Sequence, residues 1–218
     1  RANKPEEQDF MGQHAETAIL HRRVGVGAVE IRIELIRKSI HLLIGLVPSL
    51  AALIGAFPTI LILASGSIFY TACEFLRLSG RDVPLVSRVT ALAARKRDTG
   101  KFVLGPVTLG FGAMLALLLY PNPAASIAVY TLAFGDGLSS LVGKLFGSIR
   151  LPFTGGKSLE GSLTCFTAVF IASYALSGHG LASFVVAFFA TITEALPLKD
   201  FDNLVLPFVS GFLALILL

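Results

Sequence analysis

Seven apolar stretches, with charge confined to alternate connections, restrict this chain more than any other feature. A helix that crosses a bilayer needs roughly 17 to 25 mostly apolar residues. Such stretches run over 41–57, 58–76, 102–120, 124–146, 159–177, 181–196 and 204–218. The turns "AFPT", "PNPA" and "SGHG" are tight and uncharged, whereas the other connections are longer and polar. Placing the N-terminus in the cytoplasm and letting seven spans alternate puts all 18 Lys and Arg residues on one side. Seven precede His41, seven run from Arg77 to Lys101, three from Lys144 to Lys157, and Lys199 is the last. Because the Lys/Arg bias of loops sets orientation, the expected fold is an all-α polytopic integral membrane protein with a cytoplasmic N-terminus.

Composition supports lipid as the solvent. The 218 residues are 54% hydrophobic and 15% charged, with a mean hydropathy of +0.77; soluble domains carry about 25% charge. A pI near 9.3 alone would suit nucleic acid. Basic loops have a topological cause here, so no nucleic-acid partner is read from it. Cys73 and Cys165 lie in apolar runs without metal spacing and read as small buried hydrophobes.

Two more segments have helical periodicity without spanning character. Over 29–40, Val29, Ile33, Ile36 and Ile40 make one stripe, and Glu30, Glu34, Arg37 and His41 make a second that runs into the first span. Over 81–97, Arg81, Arg88 and Arg95 stand beside Leu85, Val89 and Leu92, the pattern of an interfacial helix whose arginines meet anionic lipid headgroups. Residues 1–28 read as a polar N-terminal segment and 29–218 as one membrane domain.

Asp136, in "AFGDGLSSLVGKLFG", is the residue that calls for chemistry. A charged side chain in mid-span costs roughly 2.5–3.5 kcal/mol and commonly marks a site. On a helix, Asp136, Ser139 or Ser140, Gly143 and Gly147 share one nearly bare face. The plainer reading, close helix packing through small residues with Asp136 paired to a basic residue, explains the glycines. A groove where a polyphosphate and its metal approach the backbone explains the carboxylate as well, and is the reading favoured here.

"LPFTGGKSLEGS" opens the fifth span. It lacks the earlier glycine and the preceding strand of a Walker loop. Gly155, Gly156 and Lys157 still offer N–H groups and a cation at a helix N-terminus, with a helix cap and a solvated Lys157–Glu160 pair as the plainer reading. "ELIRKSIH" sets Arg37 and His41 together with Lys38 beside them, and Lys38 alone reads as flanking charge. Glu74 and Arg77 read as a structural ion pair. Glu194, Asp200, Asp202 and Asn203 form an acidic end suited to Mg2+, which takes one or two carboxylates plus substrate phosphates. His179, on the opposite face, is expected to be inert.

The ordered motifs "RKSIH", "EFLR", "FGDGLSSLVGKLFG", "GGKSLEGS" and "EALPLKDFDNLVLP" resemble the CTP-dependent lipid kinases: dolichol kinase, phytol kinase and the CTP-using diacylglycerol kinase. The segment 135–161 is also similar to the phosphatidate cytidylyltransferases. The resemblance implies CTP as co-substrate, Mg2+, a membrane lipid alcohol acceptor and a cytosolic site, in a bacterial inner membrane or the ER. It implies catalytic roles for Arg37, Lys38, Asp136 and Lys157, with His41 or Glu160 as the base. Gly135, Ser139, Ser140, Gly143, Lys144, Gly155, Gly156, Lys157, Ser158, Gly161 and Asn203 would bind the nucleotide, and Asp136, Asp202 and Glu194 the metal. Gly156 stands where the family often has a second basic residue. The expected function is phosphorylation of a polyprenol, phytol or diacylglycerol hydroxyl by CTP. The alternatives are cytidylyl transfer to a lipid phosphate or a small ion-coupled transporter.

Overall fold

The computed structural model describes residues 31–81, 83–93, 98 and 100–218. The expected N-terminal segment, Val29 and Glu30 of the first stripe, and Arg95 lie outside the described residues. So do the side chains of Leu85, Val89 and Leu92. Among the described residues the chain is helical, with no strand and one isolated bridge between Arg150 and Ser158.

Helix α1, Ile31–Ile54, absorbs both the amphipathic stretch and the first expected span. A turn at Gly45 and Leu46 interrupts it. Pro48 sits in the first turn of the second half, Val47–Ile54, because a ring nitrogen cannot donate to the preceding turn. Gly45 permits the close approach of Phe134, whose Cζ would lie 2.9 Å from an added Cβ. Gly55, at φ +93, makes the tight turn into α2, Ala56–Leu78. The break falls there rather than at "AFPT", and Pro58 lies within the first turn of α2, where no donor is needed.

Helix α3, Pro84–Ala93, lies within the expected interfacial stretch 81–97 and packs on α2; residues 94–97 of that stretch lie outside the described residues. Next come α4, Gly105–Leu119, and α5, Ala124–Leu145. Helices α6, Leu159–Ser177, and α7, Gly180–Ala195, follow. A 3-10 turn, Lys199–Phe201, leads into α8, Asp202–Leu217. Among the described residues five helices are long and apolar enough to cross a membrane, the last counted from Lys199 through α8 to Leu217, while α4 and α7 are apolar but shorter.

The packing follows from lipid as solvent. Leu61, Ile62, Ile68 and Phe69 of α2 face outward, as do Leu163 and Ile171 of α6. Buried positions carry small or hydroxyl side chains such as Ala113, Ala128, Ser173, Ser183 and Ser210. Lipid tails supply no hydrophobic drive between helices, so small residues that admit close backbones do that work. Helix α5 is central: 61% of its apolar window is buried, against 17% for α2. It touches α4, α6, α7 and α8, and its middle turn, Thr131–Asp136, is π-helical. Cys73 and Cys165 are free and buried, as expected. Glu74 and Arg77 form the expected ion pair, with Arg77 Nε 2.8 Å from Glu74 Oε2, and Val103 N donates to Glu74 Oε1 at 2.9 Å.

Candidate active site

Asp136 closes the π-helical turn of α5 and is 2% exposed. Such turns insert an extra residue into a helix and recur at functional sites. Lys38, one face of α1, reaches across to form an ion pair with Asp136 Oδ2. His41, one turn further along α1, places Nδ1 3.1 Å from the same oxygen, without hydrogen-bond geometry. Ser140 Oγ stands 3.4 Å from Oδ1. The charge of Asp136 is therefore matched by an ammonium group, the pairing with a basic residue that the plainer reading expected. Lys38, read alone as flanking charge, is instead buried in that pair.

One turn before Lys38, Glu34 is equally buried. Its Oε1 accepts from Arg37 and its Oε2 from Lys144 Nζ at 2.7 Å. The stripe expected in α1 thus splits: Arg37 turns to Glu34, and Lys38 and His41 to Asp136. Glu34 had no assigned role in the sequence reading. Its signal was an acid one turn from two cations on a helix running into a membrane.

The connection between α5 and α6 folds back on itself. Leu151 N donates to Lys157 O and Leu159 N to Ile149 O, both at 2.9 Å. Gly155 and Gly156 take φ +71 and +100, the left-handed region that suits glycine. Ser158 caps α6 by accepting from Gly161 N at 3.2 Å. Glu160 Oε1 accepts from Ser148 N at 2.8 Å and Ile149 N at 3.3 Å, so this side chain fastens the loop. Lys157 does not pair with Glu160. Its Nζ donates to Glu194 O at 2.7 Å and forms an ion pair with the Glu194 carboxylate. Burial works against the Lys157 ammonium, but the Glu194 and Asp136 carboxylates outweigh it and hold its pKa above the ordinary lysine value.

These elements enclose a cavity of about 450 Å³. Arg37, Lys38, Lys144, Arg150, Lys157 and Lys199 line it, against Glu34, Asp136, Glu194 and Asp202. Gly155 and Gly156 form part of the wall, and an added Cβ would meet nothing within 4 Å at Gly156. A surplus of cations with open backbone suits a polyanion. Ser139, Ser140, Gly143, Ser158 and Gly161 also border the cavity.

The glycines divide by role. An added Cβ on Gly143 would lie 2.9 Å from Ser158 Oγ, and one on Gly161 2.7 Å from Ser139 O. These two bring α5 and α6 together, so the packing explanation holds for them. Gly135 packs against Val169 and Cys165 of α6, away from the cavity. Asn203 Nδ2 donates to Thr108 Oγ1 at 2.9 Å and ties α8 to α4. Glu160, Gly135 and Asn203, expected in the nucleotide site, do not line the cavity, and neither does His41.

Among the described residues no group of three His, Cys, Asp or Glu side chains is set to hold a metal ion. Mg2+ asks for less, since phosphates and water complete its octahedron. Ser139 Oγ donates to Glu194 Oε1 at 3.0 Å, while Glu194 Oε2 is buried and has no hydrogen-bond partner. Asp136, Glu194 and Asp202 are the cavity carboxylates expected to hold such an ion; Asp136 and Glu194 each meet a lysine, and Glu194 keeps Oε2 unpartnered.

The chain is similar to the farnesol kinase of Arabidopsis thaliana, with 28% identity over 205 residues, covering 83% of this chain and 65% of that protein. It is also similar to a probable phytol kinase of Triticum aestivum, with 28% identity over 158 residues, covering 62% and 50%. Phytol kinase 1 of Arabidopsis thaliana aligns at 26% identity, covering 78% and 62%. The chain is thus similar to proteins named as kinases of farnesol and phytol. The family resemblance read from the motifs therefore holds. The chain spans about half to two thirds of the length of these relatives, all of which are named chloroplastic. No protein-family model matches the chain, and no solved structure matches it significantly.

Proposed function

We propose that this protein transfers the γ-phosphate of CTP, with Mg2+, to the hydroxyl of an isoprenoid alcohol. The supporting observation is the cation-rich cavity around Lys38 and Asp136, set at the charged end of an apolar helical bundle. The names of the relatives supply the acceptor class, and the motif resemblance supplies CTP. The Lys/Arg bias of the loops supports a site on the cytoplasmic side, and the arginines of the 81–97 stretch suit anionic headgroups there.

The alcohol oxygen forms a bond to the γ-phosphorus as the bond from that phosphorus to the β–γ bridging oxygen breaks, and CDP departs with the electron pair. The hydroxyl proton leaves in the same step. His41, beside Asp136, is the base suited to take it, because Glu160 is occupied in fastening its loop. Lys157, Arg37 and Lys144 bind the phosphates, with Glu34 and Glu194 fixing where those cations stand. Mg2+ would be held by Glu194 and Asp202 and would supply charge neutralisation of the phosphates. Positioning and charge stabilisation are most of what phosphoryl transfer asks of a protein.

The test is purified protein with Mg2+ and farnesol, phytol, a polyprenol or diacylglycerol, given CTP labelled at either the γ or the α position. Transfer of the γ label to a prenyl alcohol is the expected result. Label from the α position would support cytidylyl transfer, ATP outperforming CTP would remove the donor assignment, and no labelled alcohol would overturn the reading.

A further inference from the structure

A second cavity, of about 210 Å³, shares Arg37, Lys38, Asp136, Lys199 and Asp202 with the first. The remainder of its wall is made of other residues. Beyond the shared ones, the polar cavity draws chiefly on α5, α6, the loop between them and Glu194 of α7, with Glu34 of α1, whereas the second draws on Ile40 and His41 of α1 and on α2, α3, α4 and the start of α8. The Lys38–Asp136 pair therefore stands between two chambers.

Ile40, Val103, Leu104, Pro106 and Leu109 give the second chamber an apolar side with the Tyr70 ring, while His41, Thr90, Asp98, Asp200 and Asn203 add polar groups to its wall. Tyr70 donates its hydroxyl to Val103 O at 3.1 Å, which fixes the ring between α2 and the chain leading into α4. Leu109 is 3% exposed and belongs to the interior. Leu104 is 47% exposed, so one lip of the chamber belongs to the surface that faces lipid. A chamber with one apolar side that meets a buried ammonium, carboxylate and imidazole suits a molecule with a hydrocarbon body and one small polar end. A glycerolipid would have to bring two ester groups and the roots of two chains into this smaller space.

We propose that the second cavity receives the hydroxyl end of a single-chain lipid alcohol, admitted from the bilayer past Leu104, so that its oxygen meets the donor phosphate at the Lys38–Asp136 pair. This rests on the kinase reading above and adds to it where the acceptor lies and that one chain, not two, is accommodated. Donor and acceptor then approach from opposite sides of one pair, an arrangement suited to in-line displacement.

Photolabelling locates the acceptor without requiring turnover. The 218-residue chain, in phospholipid nanodiscs, is irradiated with a farnesol analogue carrying a diazirine near the hydroxyl end, with and without excess phytol. Peptide mapping is expected to find label on 103–109 and around Tyr70, displaced by phytol but not by dioleoylglycerol. Label on α6 or α7, undisplaced label, or displacement by dioleoylglycerol would overturn the assignment. Leu104→Trp, at an exposed lip, is expected to raise the KM for phytol roughly tenfold with the KM for CTP unchanged; an unchanged phytol KM counts against the route past Leu104. Correct labelling in a protein that transfers no phosphate would leave the chamber standing and remove the kinase reading. Active protein labelled elsewhere would do the reverse.

Discussion

Lys38 and Asp136, 98 positions apart in the chain, form a buried ion pair that ties α1 to the π-helical turn of α5. Taking two charges out of water is expensive, and their attraction offsets that cost only while both are present. The pair thus has a structural duty as well as a place at the junction of two cavities. The two duties can be separated by substitution.

Asp136→Asn leaves the Lys38 ammonium buried without its counter-charge. Loss of one partner of a buried pair costs about 3–5 kcal/mol. The single variant is therefore expected to unfold at markedly lower temperature in detergent, and its lost activity alone would say little about chemistry. Lys38→Met with Asp136→Leu removes both charges and is expected to recover most of the thermal stability while transferring no phosphate. Wild-type stability in Asp136→Asn would show that the pair does not hold α1 to α5.

Glu34 anchors two cations that line the polar cavity, Arg37 and Lys144. It lines the cavity beside them but, as an acid, would not itself bind phosphate. Glu34→Gln keeps the shape but weakens the hold on both cations, so the phosphates meet a less ordered pair. The expected outcome is a KM for CTP raised about tenfold, which is ~1.4 kcal/mol of binding, with kcat changed far less. A fall confined to kcat would place Glu34 in the chemical step instead.

The sequence made some of this readable for clear physical reasons. The ends of α6 coincide with the expected span 159–177, because Ser158 caps one end and Gly178 stands in the left-handed region at the other. Grouping of Lys and Arg into alternate loops foretold that the site residues would gather at one end of the bundle. Pairing was harder. Periodicity put Arg37 and His41 on one stripe, yet which cation meets Asp136 depends on how α1 is rotated against α5, and local spacing carries no such information. The π-helical turn at Thr131–Asp136 shifts the register there, so a regular helix could not have placed Asp136. Glu160, read as a candidate base, is held by backbone N–H groups eleven and twelve positions earlier in the chain, a loop closure no motif discloses.

Gly161 and Gly156 are five residues from each other across the Ser158 cap but are constrained differently. A Cβ on Gly161 meets the Ser139 carbonyl at 2.7 Å, and backbone on a packed helix cannot step aside. Gly161→Ala is expected to cost about 1–3 kcal/mol of stability through overpacking. Gly156 has open space around it but a φ of +100, so Gly156→Ala carries a conformational cost of roughly 1–2 kcal/mol, felt in the loop that lines the cavity. Thermal unfolding paired with CTP KM separates them: Gly161→Ala should move chiefly the first, Gly156→Ala chiefly the second. The opposite pattern would make Gly161 part of the nucleotide wall and Gly156 a packing glycine.

Lys157 gives a prediction in pH. Burial alone would lower its pKa, yet the carboxylates of Glu194 and Asp136 keep it above the ordinary 10.5. A folded-state pKa raised above the unfolded value contributes stability that is fully present below the unfolded pKa and is lost as pH rises through the folded one. In nucleotide-free protein treated with EDTA, Lys157 should therefore cause no loss of thermal stability anywhere below the ordinary lysine range. Glu194→Gln removes the nearest carboxylate and leaves burial with less opposition, so the ammonium is expected to give up its proton earlier. The variant's melting temperature should therefore lose less than the wild type's as pH rises through the lysine range, because the loss spans only the gap between the unfolded and the folded pKa, and adding Lys157→Met to Glu194→Gln should remove whatever Lys157 contribution remains. Parallel pH profiles for wild type and Glu194→Gln would mean that Glu194 is not what keeps Lys157 charged, and the fixed cation at the mouth of α6 would need another source.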